Sequence, residues 1–202
     1  MRAVLRFLAS VLMVSGVLML ADAGTTLLWQ EPVSAFLAER EQGELEDALA
    51  DPVQRKRVLS RKPLPGDSIG RLEFPTLDKD YFVVEGTETD DLRKGPGHYR
   101  DTPLPGERGT VAIAGHRTTY GAPFNDIDKL DKGDTMRLEM PYGRFTYRVE
   151  KTEIVEPTEL SVKDPVGYNR LILSACHPLY SAAQRIVVFA RQVKRDDKST
   201  VK

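Results

Sequence analysis

Short strand-like segments separated by turn-forming residues fill residues 68–193 of this 202-residue chain, and they restrict the fold more than any other feature. The segment Arg144–Val149 alternates most cleanly, because Phe145, Tyr147 and Val149 fall on one face of a strand. No long helical pattern lies between the segments, which favours a closed barrel or a sandwich over an alternating α/β fold. The predicted strands are Ile69–Phe74, Tyr81–Gly86, Thr110–His116, Thr135–Met140, Arg144–Val155, Arg170–Cys176 and Arg185–Val193.

An apolar stretch of 23 residues, Phe7–Trp29, precedes these strands and contains Asp22 as its single charge. As a helix it is about 34 Å long, which is enough to cross the hydrocarbon core of a bilayer. Arg2 and Arg6 lie before it and mostly acidic residues follow it. The positive-inside rule therefore places the N-terminus in the cytoplasm and the rest of the chain outside, with residues 1–30 as a single-pass membrane anchor.

A cleaved signal peptide is the alternative interpretation of the same stretch. Its apolar region would be Phe7–Leu20, and Ala21-Asp22-Ala23 matches the A-x-A cleavage pattern. A retained anchor is favoured because Thr25–Trp29 extends the apolar stretch and Trp is common at membrane interfaces. Both interpretations place most of the protein outside the cytoplasm.

Residues 31–67 are expected to form a helical and basic linker, and residues 194–202 a frayed polar tail. Residues 32–50 carry apolar positions on one face, which predicts a helix. The Pro- and Gly-containing segment Asp51–Gly66 predicts a solvated tether, with contact to anionic lipid head groups or wall polymers as the alternative. The cations of this segment are Arg55, Lys56, Arg57, Arg61 and Lys62.

Charge and cysteine content exclude several functional classes. The chain has 29 Lys and Arg against 30 Asp and Glu, whereas a nucleic-acid-binding domain is normally strongly basic. One cysteine excludes an intrachain disulfide and any multi-cysteine metal site, and three histidines offer few further ligands. We therefore expect no nucleic-acid partner and no metal or organic cofactor.

The single cysteine, Cys176, ends a predicted strand and is followed by a loop. Arg185 then begins the next apolar strand, so the thiol and the guanidinium are expected at facing ends of two adjacent strands. This placement favours a nucleophilic thiol with a neighbouring cation. A buried, unreactive cysteine is the alternative.

The three histidines differ in their suitability as a general base. His116 ends the predicted strand Thr110–His116 beside a polar loop, a position suited to catalysis on a rigid scaffold, although a purely structural role is the alternative. His177 adjoins Cys176, but neighbouring side chains of a strand point to opposite faces, which makes it the second candidate. His98 lies in a predicted loop and is expected to have a backbone or packing role.

Two motifs in combination resemble the sortase family. They are Ala114-Gly115-His116-Arg117 and the downstream Leu173–Pro178, which has an arginine nine positions after its cysteine. The segments Gly95–Tyr99 and His116–Phe124 are most similar to class E sortases of actinobacteria. The resemblance covers residues 68–193, and it is specific because the motifs occur together.

The resemblance implies an all-β fold, a closed eight-stranded barrel with short helical turns that follows the N-terminal membrane helix. It implies a membrane-anchored cysteine transpeptidase that cleaves an LPXTG- or LAXTG-type sorting signal between Thr and Gly through a thioacyl intermediate. The implied partners are surface proteins that carry the signal and an amine of a peptidoglycan precursor or of another protein. By the same resemblance, Cys176 is the nucleophile, His116 the general acid and base, and Arg185 the group that stabilises substrate and oxyanion.

Three further residues are candidate substrate contacts. Ser174 shares a strand face with Cys176, whereas Ala175 points away. The family usually has a hydroxyl residue, mostly Thr, at the position of Ala175, so a substrate hydrogen bond from that position is in question here. Tyr120 resembles the tyrosine that class E sortases link to a preference for Ala over Pro at the second signal position, and packing on the barrel rim is its alternative role.

Two other functions are consistent with parts of the sequence. A thioacyl-forming peptidase would use the same three residues, and water would resolve its intermediate. A membrane-tethered binding barrel would have an unreactive Cys176, but it leaves the joint placement of Cys176, His116 and Arg185 at strand ends without a reason.

Overall fold

The computed structural model describes residues 2–28 and 32–198. It contains four α-helices, eight β-strands and three short 3-10 turns within those residues. The helices are α1 (Arg2–Leu28), α2 (Pro32–Ala50), α3 (Pro52–Leu59) and α4 (Thr89–Lys94). The strands are β1 (Ser68–Phe74), β2 (Lys79–Glu85), β3 (Gly97–His98), β4 (Thr110–Ala114), β5 (Thr135–Met140), β6 (Gly143–Val155), β7 (Arg170–His177) and β8 (Gln184–Asp197).

The strands form one closed barrel in the order β1-β2-β3-β4-β7-β8-β6-β5. Closure comes from β1, which pairs with β2 on one side and with β5 on the other. Two of the pairings are parallel, β2 with β3 and β4 with β7, and the rest are antiparallel. The predicted eight-stranded barrel is confirmed, and the parallel β4–β7 pairing places the ends of these two strands at the same rim.

The barrel interior is filled by alternate side chains of its strands. Phe145, Tyr147 and Val149 of β6 all lie in this core, as the alternation predicts. On β7 the interior positions are Leu171, Leu173 and Ala175, so the residues between them face outward. Each fully buried large apolar side chain stabilises the fold by about 1.5–3 kcal/mol. A strand that turned its inward residues outward would lose several of these contributions.

Several strand boundaries differ from the sequence prediction. Strand β4 ends at Ala114, two residues earlier than predicted, and His98 lies in the two-residue strand β3 and not in a loop. Strand β8 continues to Asp197 because its extension pairs with β6 back to Gly143. Residues 194–197 therefore belong to the barrel, whereas the end of the predicted tail, residues 199–202, lies outside the described residues.

The predicted tether is a folded part of the domain. Asp51 caps α3 by accepting hydrogen bonds from the backbone N–H groups of Val53 and Gln54, and a proline occupies the first turn, where no helical N–H bond is lost. Val58 of α3 is fully buried in the barrel core. Of the five cations expected in solvent, Arg57 forms a two-point ion pair with Asp67, at 2.6 and 2.8 Å.

Helix α1 carries the predicted membrane segment. Its residues Arg2–Gly24 are long and apolar enough to cross a membrane, and their side chains are not buried against the rest of the protein. A signal sequence near an N-terminus would meet the same criteria, so both interpretations remain compatible with the helix. Trp29, the predicted interface residue, lies outside the described residues.

Candidate active site

The ends of β7 and β8 place the cysteine opposite the arginine. In this antiparallel pair Cys176 is the register partner of Arg185, directly across the ladder. Directly opposed residues of neighbouring strands project to the same face of a sheet. The neighbouring register pair, Ala175 and Ile186, points into the core. Because side chains alternate along a strand, Cys176 and Arg185 therefore lie on the outer face of the barrel.

Cys176 is a free, half-buried thiol at the rim of the barrel. Ser174 lies two residues before it on the same outer face and is also half-buried. Ala175 is 4 % exposed and belongs to the interior core, so its side chain does not line the outer face where the thiol lies. Of the two neighbours considered as substrate contacts, Ser174 alone has its side chain on the outer face.

The parallel pairing of β4 with β7 brings His116 to the same rim. Ala114 is the register partner of Ser174, and the next backbone N–H, that of Gly115, donates to the Ser174 carbonyl at 3.0 Å. His116 lies two residues after Ala114, and Cys176 lies two residues after Ser174. A side chain at position 115 would strike the Phe124 ring, with a Cβ at 2.6 Å, so glycine is needed for the loop to fold back there.

The environment of His116 favours its neutral form. Burial lowers the pKa of the imidazole below its ordinary value. Its Nε2 atom is buried and has no hydrogen-bond partner among the described residues. The ring of Tyr120 lies 5.0 Å from the His116 ring, centroid to centroid, and covers one side of it. An imidazole in this state can accept a proton through a nitrogen that no other protein group occupies.

Arg185 is half-buried, and its two side-chain hydrogen bonds use only one nitrogen of the guanidinium. Its Nη1 donates to the carbonyls of Ala182 and Gln184, each at 3.0 Å. These bonds tie the side chain to the loop between β7 and β8. Arginine has five N–H donors in all, so further ones remain available to an anionic group.

A shallow cleft on the outer face begins beside Arg185 and Ser174. Its apolar floor is formed by outward residues of β7 and β8, and the segment 155–163 lines its other side. The cleft encloses only about 50 Å³, little more than the share of one water molecule in the liquid, about 30 Å³. A peptide strand would therefore need the segment 155–163 to move. The floor residues are Ile172 and Val187, which belong to an outward apolar cluster together with Ala112 and Phe189.

The loop after His116 rests on helix α2. A Cβ at Gly121, where φ is +71°, would lie 2.5 Å from the Cβ of Ala38. The side chain of Gln42 fastens α2 to the barrel, because it accepts from the Phe82 N–H at 2.6 Å and donates to the Lys94 carbonyl at 2.8 Å. Between α2 and this loop lies a cavity of about 510 Å³ that Tyr120 lines.

The other two histidines have protein partners. His98 is 1 % exposed, and its Nδ1 lies 2.8 Å from a carboxylate oxygen of Glu85, which supports the expected packing role. His177 faces the guanidinium of Arg117 across 3.4 Å. The sequence reasoning assigned Arg117 no role of its own. The available signal was its position directly after His116, but sequence does not show that its side chain returns to the residue after Cys176.

Comparison with known proteins shows the family to which the chain belongs. Residues 72–193, more than half of the chain, match the family model of the sortase domain. Sortase D of Bacillus subtilis is 36 % identical over 163 residues, which are 79 % of this chain and 81 % of that protein. Sortase SrtE1 of Streptomyces coelicolor is 28 % identical over 96 % of this chain, and the match spans 58 % of that longer protein.

A solved structure gives the same result. The crystal structure of Sortase E1 from Streptomyces coelicolor, with a tripeptide in its active site, superimposes with a TM-score of 0.62 at 29 % identity. The match covers 68 % of this chain and 94 % of that one. The similarity to class E is therefore supported in both sequence and fold. The chain belongs to the sortase family, whose members are cysteine transpeptidases.

Proposed function

We propose that Cys176, His116 and Arg185 carry out transpeptidation on a sorting signal of the LAXTG or LPXTG kind. The observation that carries this proposal is the register of three strands. Cys176 pairs with Arg185, and His116 lies two residues after Ala114, the β4 residue that pairs with Ser174. The strand ends that carry the thiol, the imidazole and the guanidinium lie at one rim of the barrel, which supports the proposal. These groups are a nucleophile, a proton carrier and a cation suited to an oxyanion.

The first half-reaction breaks the Thr–Gly bond. Neutral His116 takes the proton of the Cys176 thiol, and the resulting thiolate attacks the threonine carbonyl carbon. A C–S bond forms as the C–N bond to glycine breaks. The departing glycine amine takes its proton from the His116 imidazolium. Arg185 donates hydrogen bonds to the developing oxyanion, which lowers the barrier without transferring a proton. The product is a thioester between Cys176 and the threonine.

The second half-reaction transfers the threonine to an amine. Neutral His116 removes a proton from the incoming neutral amine as its nitrogen attacks the thioester carbon. The C–N bond forms, the C–S bond breaks and the thiolate of Cys176 is released. The lowered pKa of His116 suits this step, because it keeps the imidazole able to accept a proton near neutral pH.

Tyr120 and Ser174 are the proposed substrate contacts. Ser174 lies beside Arg185 in the lining of the outer cleft, and the aromatic face of Tyr120 adjoins His116. Similarity to class E favours Ala over Pro at the second signal position. The Tyr120→Phe variant tests the role of the hydroxyl, since an unchanged Ala-to-Pro preference would exclude it from that choice. Ala175 is not proposed as a side-chain contact, because its side chain lies in the core.

The proposed site of action is the outer face of the cell membrane. Helix α1 would span the membrane with its N-terminus inside, and the barrel would lie outside. The partners there are surface proteins that carry the signal and a cell-wall or protein amine. Protease added to intact cells should digest the barrel but leave α1 in the membrane fraction, and a barrel protected until lysis would contradict this orientation.

A product analysis tests the proposed reaction. The full chain is used in detergent micelles, because α2 and α3 pack against the barrel. It is incubated with Leu-Ala-x-Thr-Gly and Leu-Pro-x-Thr-Gly peptides, with and without a glycine- or diaminopimelate-type amine, and products are read by mass spectrometry. A product joined at threonine to the amine, absent with Cys176→Ala, is the expected result.

The other outcomes identify the alternatives. Hydrolysis that persists at saturating amine would favour the thioacyl peptidase. No cleavage of either peptide, with Cys176 also inert to alkylation, would favour the binding barrel. Arg185→Lys should reduce kcat by about 10²–10³-fold, because it loses an aligned oxyanion donor. Its matched control is Arg191→Lys on the same strand, whose guanidinium pairs with Glu150 at 2.7 Å.

A further inference from the structure

Arg117 is a buried arginine that the proposed reaction does not use. It is 3 % exposed, although it directly follows the catalytic histidine. Its Nη2 pairs with the Asp128 carboxylate at 2.9 Å and donates to the Asn125 carbonyl at 3.2 Å. The Asn125 side chain returns a bond to the Arg117 carbonyl at 2.7 Å. Burying a charged group is expensive unless it is paired, so this position serves something that a neutral residue would not.

The remaining contact of the guanidinium crosses to the cysteine strand. Nη1 of Arg117 lies 3.4 Å from Nδ1 of His177. Arg117 follows His116 and His177 follows Cys176, so the two residues next to the reacting groups face each other. A second link exists one step earlier, where the Gly115 N–H donates to the Ser174 carbonyl at 3.0 Å.

The chemistry of the pair decides which ring nitrogen of His177 accepts the hydrogen bond. An arginine N–H can only donate, so Nδ1 of His177 accepts and its ring proton lies on Nε2. The contact occupies Nδ1, so a base at this position could not use that nitrogen.

We propose that Arg117 is a positioning residue, which links the loop of His116 to His177 and so keeps the catalytic imidazole in register with the thiol of Cys176. The proposal rests on the function proposed above. Near-attack geometry is demanding, and a misplacement of about 1 Å can cost about 10²-fold in rate. One cross-link between the neighbours of both reacting groups limits such misplacement.

The central test is a set of variants of the full chain in micelles. Arg117→Met should lower kcat by about ten- to hundredfold per titratable thiol, with KM for the peptide within about threefold. Counting active thiols separates misplacement from a smaller folded fraction. Retention of kcat per thiol within twofold would overturn the proposal.

A milder variant covers the case in which Arg117→Met does not fold. Asp128 is half exposed and pairs with Arg117, so Asp128→Asn loosens the guanidinium without leaving a cavity. Its matched control is Asp126→Asn in the adjacent turn, because Asp126 pairs with Lys79 and Lys129. We expect a loss of kcat for Asp128→Asn several times greater than for Asp126→Asn. Equal effects would contradict the proposal.

Rescue at His177 distinguishes positioning from catalysis. His177→Asn keeps an acceptor near the place of Nδ1, whereas His177→Leu removes it. We expect Asn to retain most of the activity and Leu to match Arg117→Met, with no further loss in the double variant Arg117→Met/His177→Leu. If His177 were instead a proton carrier, Asn and Leu would be equally inactive.

A substrate-free measurement separates this proposal from the proposed function. The rate of Cys176 alkylation by iodoacetamide near pH 6.5 depends on the thiolate fraction, which an imidazole placed to take the thiol proton increases. Arg117→Met should slow this alkylation several-fold, as His116→Ala does, and Asp126→Asn should not. Wild-type inactivity on both peptides refutes the proposed function alone, whereas unchanged alkylation in Arg117→Met refutes the positioning role.

Discussion

Two loops at the active-site rim differ in how firmly the fold holds them. Each has a tyrosine with a left-handed backbone, Tyr120 with φ of 51° after His116 and Tyr180 with φ of 63° after Cys176. Tyr120 contacts the His116 ring, and its loop is fixed by Arg117 and by α2. Tyr180 is 72 % exposed, and the bonds of its loop are mostly internal.

This difference assigns separate tasks to the two sides of the site. Strain in a left-handed non-glycine residue persists where surrounding contacts hold the residue in place, or where the strained conformation serves the function of the loop. The histidine loop has such contacts, which suit the proton transfer proposed for His116 because that role needs fixed geometry. The loop after Cys176 presents exposed Leu179 and Tyr180, which suits contact with a variable peptide.

The largest expected contrast is in stability. Phe124 of the histidine loop is fully buried and packs edge-on against Phe74, with ring centroids 6.1 Å apart. Phe124→Ala should therefore reduce the free energy of unfolding by about 3–5 kcal/mol, measured by urea denaturation. Leu179→Ala in the other loop should change it by less than about 0.5 kcal/mol. Equal losses would show that the second loop is also part of the packed core.

The contact between the histidine loop and α2 should give an intermediate effect. Gly121→Ala strains a backbone with φ of +71° and places a methyl group 2.5 Å from Ala38. We expect a loss of about 1–3 kcal/mol in the free energy of unfolding, together with reduced kcat. Ala38→Gly should restore part of that loss in the double variant. No restoration would mean that the strained backbone, and not α2, causes the effect.

Exchanging each tyrosine for asparagine should distinguish the two loops by a smaller change, which is stabilising for Tyr180 alone. Asparagine tolerates the left-handed region, so Tyr180→Asn should raise the free energy of unfolding by about 0.5–1 kcal/mol and leave kcat unchanged. Tyr120→Asn loses the ring contact with His116, so it should not stabilise and should lower kcat. Thermal denaturation and peptide kinetics measure both. Loss of kcat in Tyr180→Asn would contradict the division of tasks.

The smallest expected effect is on the pH dependence of stability. Burial lowers the pKa of His116, so the unfolded chain binds the proton more readily than the folded one. Its contribution to stability is complete above about pH 6.5 and is lost as pH falls through the lowered folded-state value. His116→Gln should show a smaller fall in Tm than wild type between about pH 7.5 and 5.5. The carboxylates with lowered pKa values titrate below that window, near and under their ordinary values of about 4.

Strand pattern predicted a closed barrel or a sandwich, and the resemblance to sortases implied the eight-stranded barrel. Alternation also predicted which residues share the outer face, because it fixes which residues point inward. Ser174 and Cys176 share the outer face and Ala175 does not, as the period of two requires. Pairing partners are set by tertiary contacts, which explains why β3 and the end of β8 were missed. The same holds for α3, where Pro and Gly suggested a tether but burial of Val58 stabilises a helix. Arg117 could not be assigned from sequence, since its partners lie 8 to 60 residues away.

The docking of α2 has a consequence for where the reaction can occur. Leu28 ends α1 and Pro32 begins α2, so the connection spans at most about 14 Å even when extended. With α1 in the bilayer as proposed, the bonds between α2 and the barrel limit how far the candidate active site can move from the membrane surface. A substrate embedded in the same membrane would then meet the thiol by lateral diffusion at high effective concentration. Inserting residues into this connection should slow the reaction with membrane-bound substrates and leave that with soluble peptides unchanged.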